Sequence, residues 1–406
     1  MRSLGSAEPI VEERGAEAVG RGRNGRGLGL MTLGHYIDDI YPGFIPPLLP
    51  LFIDKFGLSL ALAGAIGTVL SLTTSVSQLG FGWLADRAGR RFFVVAGPLT
   101  ACVFLSVAPL SSSYVQLVAL AALGGFGVAA FHPSAAALAA GFAGSRKSLG
   151  VSVFAAAGAL GFATGPMLIL WVVATFGIGR SYLAMAPGLL TAAAIAVATP
   201  GGPVRSPKLR PEVASTGRHW KLLSLLWFVA VIRASVIMGF ENFIPITIKE
   251  RGGSLMSGGA AISLFLLCGS LGGVIGGYLS DKVDPRKVLL FSSIAPVPAL
   301  VGFLTLGAPL NLVCLGFAGA FAFAAVPVTI VMAQESAPSR TSTASSVVMG
   351  LAWGIGGTAS VLVGRLADAV GVVTALLVLA LVSLVSAPCV PFLPGRGGEQ
   401  RISPFP

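Results

Sequence analysis

A short charged turn, Gly82-Trp83-Leu84-Ala85-Asp86-Arg87-Ala88-Gly89-Arg90-Arg91, lies between two long apolar runs and constrains this chain more than any other stretch. Charges flanked in this way belong at a membrane surface, and Gly82 and Gly89 permit close helix approach and chain reversal. Asp86 is expected where the next helix begins, its anion complementing exposed N–H groups. Arg87, Arg90 and Arg91 are too costly for hydrocarbon and mark the cytoplasmic side. The design returns as Gly277-Tyr278-Leu279-Ser280-Asp281-Lys282, followed by Arg286-Lys287, with Asp281 standing 195 residues after Asp86. Such a repeat predicts a membrane chain built from two similar halves.

Composition agrees. Only 11% of the 406 residues are charged, against roughly 25% in a soluble domain, and mean hydropathy is +0.86. Many apolar runs near the roughly 20 residues needed to cross a bilayer make this a polytopic membrane protein. Cys102, Cys268, Cys314 and Cys389 are scattered through apolar segments without paired spacing, so neither a metal centre nor a disulfide framework is expected.

Residues 1–27 lack an apolar run and read as a disordered cytoplasmic tail. They are not a secretory signal, because the following apolar segment is long, carries Asp38-Asp39 and lacks a small-residue cleavage site. Twelve spans are expected near 30–54, 60–84, 92–110, 113–141, 149–177 and 180–199, then 222–250, 255–279, 288–307, 309–335, 342–369 and 372–394. The Pro-, Gly- and Ser-rich stretch 200–221 reads as a cytoplasmic linker between six-helix halves 28–199 and 222–394, and 395–406 as a cytoplasmic tail.

Of the 27 basic residues, all but Lys55, Arg180, Arg233, Lys249, Arg251 and Arg365 fall in the tails, the linker or the even-numbered turns. That asymmetry puts both termini in the cytoplasm. It also accounts for the net charge of +11 without nucleic acid as a partner. Phe44-Ile45-Pro46 recurs as Phe243-Ile244-Pro245, and Pro133 has a counterpart in Pro327, which supports an internal repeat. Two parallel six-helix halves place a substrate site at the midplane between them.

Four spans carry polar groups that matter here, and a fifth carries a glycine pattern. Span 1 contains Gly34-His35-Tyr36-Ile37-Asp38-Asp39 ahead of Pro42, Pro46 and Pro47. His35 and Asp39 are helical i,i+4 neighbours, while Asp38 points about 100° away. Either these groups bind a proton or a cation inside the membrane, or span 1 starts later and leaves them solvated at its mouth. Span 7 carries Arg233, which either recognises an anion or snorkels, and deeper Glu241-Asn242, with Glu241 a second proton carrier. Phe131-His132-Pro133 in span 4 marks either a structural kink or a cavity wall. Near the end of span 10, Gln334-Glu335 precedes Pro338-Ser339-Arg340, and Glu335 is expected to pair with a basic group at the cytoplasmic face as a gate contact, or to be merely solvated. Span 5 holds Gly158, Gly161 and Gly165-Pro166, a close-packing pattern with a bend. Tyr36, His132, Arg233, Asn242 and Gln334 are the candidates for substrate contact, and Asp38, Asp39, His35 and Glu241 those for proton coupling.

The turn at 82–91 resembles the helix 2–3 loop motif of the major facilitator superfamily, with a weaker echo after span 8. His35 with Asp38-Asp39, Phe131-His132-Pro133, Gly161 with Gly165-Pro166, and Ala333-Gln334-Glu335 through Arg340 are together similar to its fosmidomycin-resistance branch. The resemblance, covering about 28–394, implies proton-coupled export of a small molecule by alternating access in a bacterial inner membrane, by a monomer without cofactor. The turn residues Gly82, Asp86, Arg87, Gly89, Arg90 and Asp281 would then help close the cytoplasmic gate. One departure is clear: the helix 4 arginine of many drug–proton antiporters is absent, with Ala121 four residues before Gly125-x-Gly127. Proton-coupled uptake of a small organic anion or sugar is the alternative. The chain shows no nucleophile motif, metal-ligand spacing or phosphate loop of an enzyme or ATP-driven pump.

Overall fold

The structure is a computed structural model describing residues 24–198, 217–337 and 341–395, and these are helical with no strand among them. The first pass, α1 (25–56), comes in three pieces, Gly25–Ile40, a 3-10 turn Pro42–Phe44 and Ile45–Phe56. The first half continues with α2 Leu60–Ala88, α3 Arg90–Leu110, α4 Tyr114–Phe142, α5 Leu149–Phe176 and α6 Ile178–Ala198. The second contains α7 Trp220–Glu250, α8 Leu255–Ser280, α9 Pro285–Thr305, α10 Leu310–Ser336, α11 Thr343–Val370 and α12 Val372–Phe392. The eleven helices α2–α12 are long and apolar enough to cross a membrane. The pass α1 completes the twelve, its helix broken because Pro42 has no N–H to give and Gly43, Pro46 and Pro47 follow.

Large apolar side chains such as Val115, Leu190 and Val197 remain exposed around the bundle, a surface suited to lipid. Hydrophobicity does not drive helix against helix in that solvent, so close contact of small residues must. A Cβ on Gly161 would stand 2.0 Å from the Tyr36 carbonyl oxygen of α1, and one on Gly276 1.9 Å from that of Ala324 in α10. The span 5 glycines are thus packing surfaces.

Several expected boundaries move. Of the expected tail, residues 1–23 lie outside the described residues, while Asn24 caps the first helix through its side chain, accepting from Gly27 N at 2.9 Å. Most of the expected linker lies outside them too, but the α7 helix begins by Gly217, inside the stretch read as linker. Only Gly395 of the C-terminal tail is described.

The turn motif needs a correction. Asp86 does not start a helix: it lies inside the last turn of α2, because Gly89, with φ +96°, ends that helix at Ala88 and α3 begins at once with Arg90. Asp86 instead pairs across this one-residue turn with Arg90 at 2.9 Å. Arg87 folds back over the Trp83 ring, 3.7 Å from its centroid. In the second half Asp281 closes the end of α8, and Asp284 caps α9, accepting from Arg286 N at 2.9 Å. Partial burial raises the Asp284 carboxyl, but its bonds to Arg286 and the charges of Arg286 and Lys287 outweigh this and hold it below the usual range.

The chain enters and leaves on one face of the bundle, the terminal face; the opposite one is the far face. The halves meet where α2 packs on α11, α1 on α7 and α5 on α8. At the far face, Asp368 near the end of α11 accepts from the first amides of α2, Leu60 N at 2.7 Å and Ala61 N at 3.0 Å. Asp54 pairs there with Lys249. Nearer mid-depth, Thr68 donates to the Gly357 carbonyl (2.9 Å) and Ser71 to that of Trp353 (3.1 Å). A Cβ on Gly64 would lie 2.2 Å from the Ser360 oxygen, so this crossing admits no larger residue. These contacts close the bundle from the far face down to mid-depth.

Candidate functional site: a polar node on the wall of a central cavity

Below that seal lies a cavity of about 220 Å³ shared by both halves. Asp39, Gln78 and His132 contribute from the first half, and Glu241, Asn242 and Trp353 from the second.

On the first-half wall, α1 and α4 bring four titratable groups together. His35 Nε2 is 3.2 Å from Asp39 Oδ2, and His132 Nε2 is 3.1 Å from Asp39 Oδ1. The two Nε2 atoms are 3.3 Å apart. Asp38, fully buried, has an oxygen 3.5 Å from His132 Nδ1 and no hydrogen-bond partner. The i,i+4 pairing of His35 with Asp39 follows from helix geometry. That of His132 with Asp39 needs α4 to cross α1 at this level.

Backbone carbonyls orient both rings. His35 Nδ1 lies 2.8 Å from the Phe154 oxygen and His132 Nδ1 2.8 Å from the Val128 oxygen. A carbonyl can only accept, so each Nδ1 carries a hydrogen and each Nε2 faces Asp39. A contact between Nε2 and a carboxylate oxygen needs a proton on one atom or the other. The two contacts can therefore hold up to two protons beyond those on the Nδ1 atoms. With them the four side chains sum to zero charge; without them they carry −2 at a depth where each charge costs at least ~2.5 kcal/mol. His35, Asp39 and His132 also bring ligand atoms within 4.8 Å of one another, compact enough for one metal ion.

The α5 glycines make room for this node. A Cβ on Gly158 would lie 2.4 Å from His35 Cε1 and 2.5 Å from Asp39 Oδ2. Just beyond, Tyr41 fixes the α1 break: its hydroxyl accepts from Gly188 N at 2.7 Å and donates to the Ala184 oxygen at 3.2 Å. The two carboxylates thus sit in the last turn before the break, aimed between α4 and α5.

On the second-half wall, Glu241 is buried and its Oε2 has no partner. Asn242 donates to the Met238 oxygen (2.8 Å) and to Ser360 Oγ (3.1 Å), tying α7 to α11.

Other expected site residues lie elsewhere. Arg233 is buried but outside the cavity wall, donating from Nη1 to Thr329 Oγ1 at 3.1 Å. Tyr36 packs on α5, its hydroxyl 3.1 Å from Thr164 Oγ1. Gln334 donates to Ser345 Oγ at 2.8 Å, joining α10 to α11. Glu335 is exposed at the end of α10, and Arg340, the other expected gate residue there, lies outside the described residues.

Sequence reasoning missed the carbonyls of Phe154 and Val128, the cavity residues Trp353 and Gln78, and Asp368. A signal existed only for Asp368: Gly364-x-Leu366-Ala367-Asp368 repeats Gly82-x-Leu84-Ala85-Asp86, again two residues before a helix ends.

Comparison with known proteins now bears on this geometry. The chain is 26% identical to the fosmidomycin resistance protein of Escherichia coli (strain K12), over 84% of this chain and 86% of that one. It is equally identical to an uncharacterized MFS-type transporter of Bacillus subtilis (strain 168), covering 85% and 87%. Its fold matches that of a bacterial homologue of the human lysosomal transporter Spinster, solved inward-facing and unoccupied, with TM-score 0.77, 16% identity, and 91% and 96% of the two chains covered. The sequence profile of the Major Facilitator Superfamily matches residues 28–361, and with twelve passes in two halves around a shared cavity, this chain belongs to that superfamily of membrane transporters.

Proposed function

We propose that this transporter is a proton-coupled exporter of small molecules, exchanging drug for protons by rocking residues 28–199 against 222–394. One observation carries the reading: two histidines and two carboxylates, able to hold exchangeable protons between them, meet at the wall of the cavity between the halves. Loss of those protons leaves net negative charge at mid-depth, which biases the bundle towards the state in which water or a cation reaches the node. Asp39, His35, His132 and Asp38 hold the protons, with Glu241 opposite as a second acceptor. Similarity to relatives named for fosmidomycin and multidrug resistance supports export. A relative named as a 4-hydroxybenzoate transporter supports anion uptake instead, yet Arg233, the group expected to clamp an anion, is outside the cavity wall.

With both termini in the cytoplasm of a bacterial inner membrane, as the basic residues suggest, the sealed far face is periplasmic and the structure faces inward. The turns at 82–91 and 277–287 then act as the gate on the open side. In inverted vesicles with an acid interior, adding a transported drug should release protons, seen as recovery of a quenched pH dye. The Asp39→Asn variant should lose that response. Undiminished proton-driven transport with Asp39→Asn and Glu241→Gln combined would overturn the proposal.

A further inference from the structure

The two walls of the cavity treat their carboxylates differently. Asp39 is answered by two imidazoles, whereas Glu241 is 3% exposed and has an oxygen without any partner. A buried carboxylate needs a proton or a cation beside it. The titratable groups lining the cavity are Asp39, His132 and Glu241, with no lysine or arginine among them. His132 already faces Asp39, and Arg233 lies away from the wall, its Nη1 on Thr329 and its Nε without a partner. An anion entering here would meet two carboxylates and no fixed positive charge. A cation would find Glu241 unpaired, with the aromatic and thioether side chains of Phe162, Trp353 and Met238 around it.

We infer that the cargo of this cavity is an amphiphilic organic cation, its charged centre against Glu241 and its apolar body against Phe162, Met238 and Trp353. This rests on the reading that the cavity is the transport site. Glu241 then holds a proton when the cavity is empty and the cationic cargo when it is full. Because the same oxygen serves both, proton and cargo displace one another, and cation affinity falls as pH falls; Asp39 and His132 face Glu241 across the cavity and add to the pH profile.

The test is equilibrium binding to the purified full-length protein in detergent, without any gradient, so it stands apart from the proton-release assay. Radiolabelled benzyltrimethylammonium is the probe, and benzylphosphonate, with the same ring on an anionic head, is the competitor. Saturable binding that benzylphosphonate does not displace is expected. Glu241→Gln should weaken it at least tenfold, Glu241→Asp should recover part of the loss, and Arg233→Gln should leave it within threefold. Wild-type affinity in a folded Glu241→Gln variant, preferential binding of benzylphosphonate, or no saturable binding of the cation would each overturn the inference. In any of these cases drug-dependent proton release from vesicles would still uphold exchange of another cargo. Conversely, cation binding to the purified protein without drug-driven proton efflux from vesicles would refute the exchange mechanism and leave the inference in place.

Discussion

Helices α1 and α7 open the two halves and share the Phe-Ile-Pro sequence at 44–46 and 243–245, yet they handle polar groups in opposite ways. In that register Glu241 stands where α1 has Pro42, and Asn242 where it has Gly43. The first half spends the position on a break that aims Asp38 and Asp39 at His132. The second keeps its helix unbroken from Gly217 to Glu250 and turns a single carboxylate to the cavity. A duplicated fold can therefore treat its carboxylates differently, with Asp39 paired to two imidazoles on one side and Glu241 left without a partner on the other. The difference is chemical, laid over the same scaffold.

The largest effect expected from breaking this contrast is at Asp39. Asp39→Asn removes the shared acceptor of both imidazoles, so substrate-dependent proton release should fall by on the order of a hundredfold, the upper range of ordinary coupling between sites. Binding of benzyltrimethylammonium in detergent should persist, because Glu241 is untouched. Equal loss of both activities would show that the walls do not act separately.

Gly158→Ala sharpens the same point without removing any polar group. Its methyl would press on His35 and Asp39, and overpacking of this kind costs about 1–3 kcal/mol. Proton release should be lost together with a lowered melting temperature, while the cation site on α7 keeps its affinity. A fully active Gly158→Ala protein would mean that the node tolerates displacement.

Asp368→Ala tests the seal that both walls share. It removes the acceptor of two amides at the α2 N-terminus, which keeps its Ser59 cap, at a cost of about 1 kcal/mol, so the far-face-open population should rise roughly fivefold. Distances between spin labels at Ser112 and Thr305 would report it, and an unchanged distribution would show that Asp54–Lys249 and the glycine crossing hold the seal alone.

The smallest effect belongs to Asp284→Ala in the α8–α9 turn, about 1 kcal/mol of stability from the lost cap. Since the folded protein holds this carboxyl below its ordinary value of 3.8, its contribution is present at neutral pH and lost as pH falls through the lower folded value. Melting curves of the variant and the native protein should converge in that acidic range.

Much of the architecture was legible in the chain. Apolar runs of spanning length gave the passes, and the repeated Gly-x-Leu-x-Asp turn gave the two halves. The pairing of His35 with Asp39 could be read from spacing, because a helix fixes i,i+4 neighbours locally. The role of His132 could not: it stands 97 residues from His35, and only the crossing of α4 on α1 separates cavity lining from a structural kink. Arg233 and Glu241, eight residues apart on one helix, looked like neighbours on a similar face, yet packing against Thr329 draws Arg233 out of the wall. The expectation that Asp86 would cap α3 failed for a local reason: a single left-handed glycine makes the turn too short to free it.

The sequence by itself determined the membrane, the passes and the repeat, because transfer from water to hydrocarbon acts on each residue type in its own segment. Tertiary structure alone decided which carboxylate is answered and which is left open, where the halves seal and what faces the cavity. Those depend on how helices rotate and cross. In lipid that is settled by where small residues let backbones approach, a property of pairs of helices that no single segment contains.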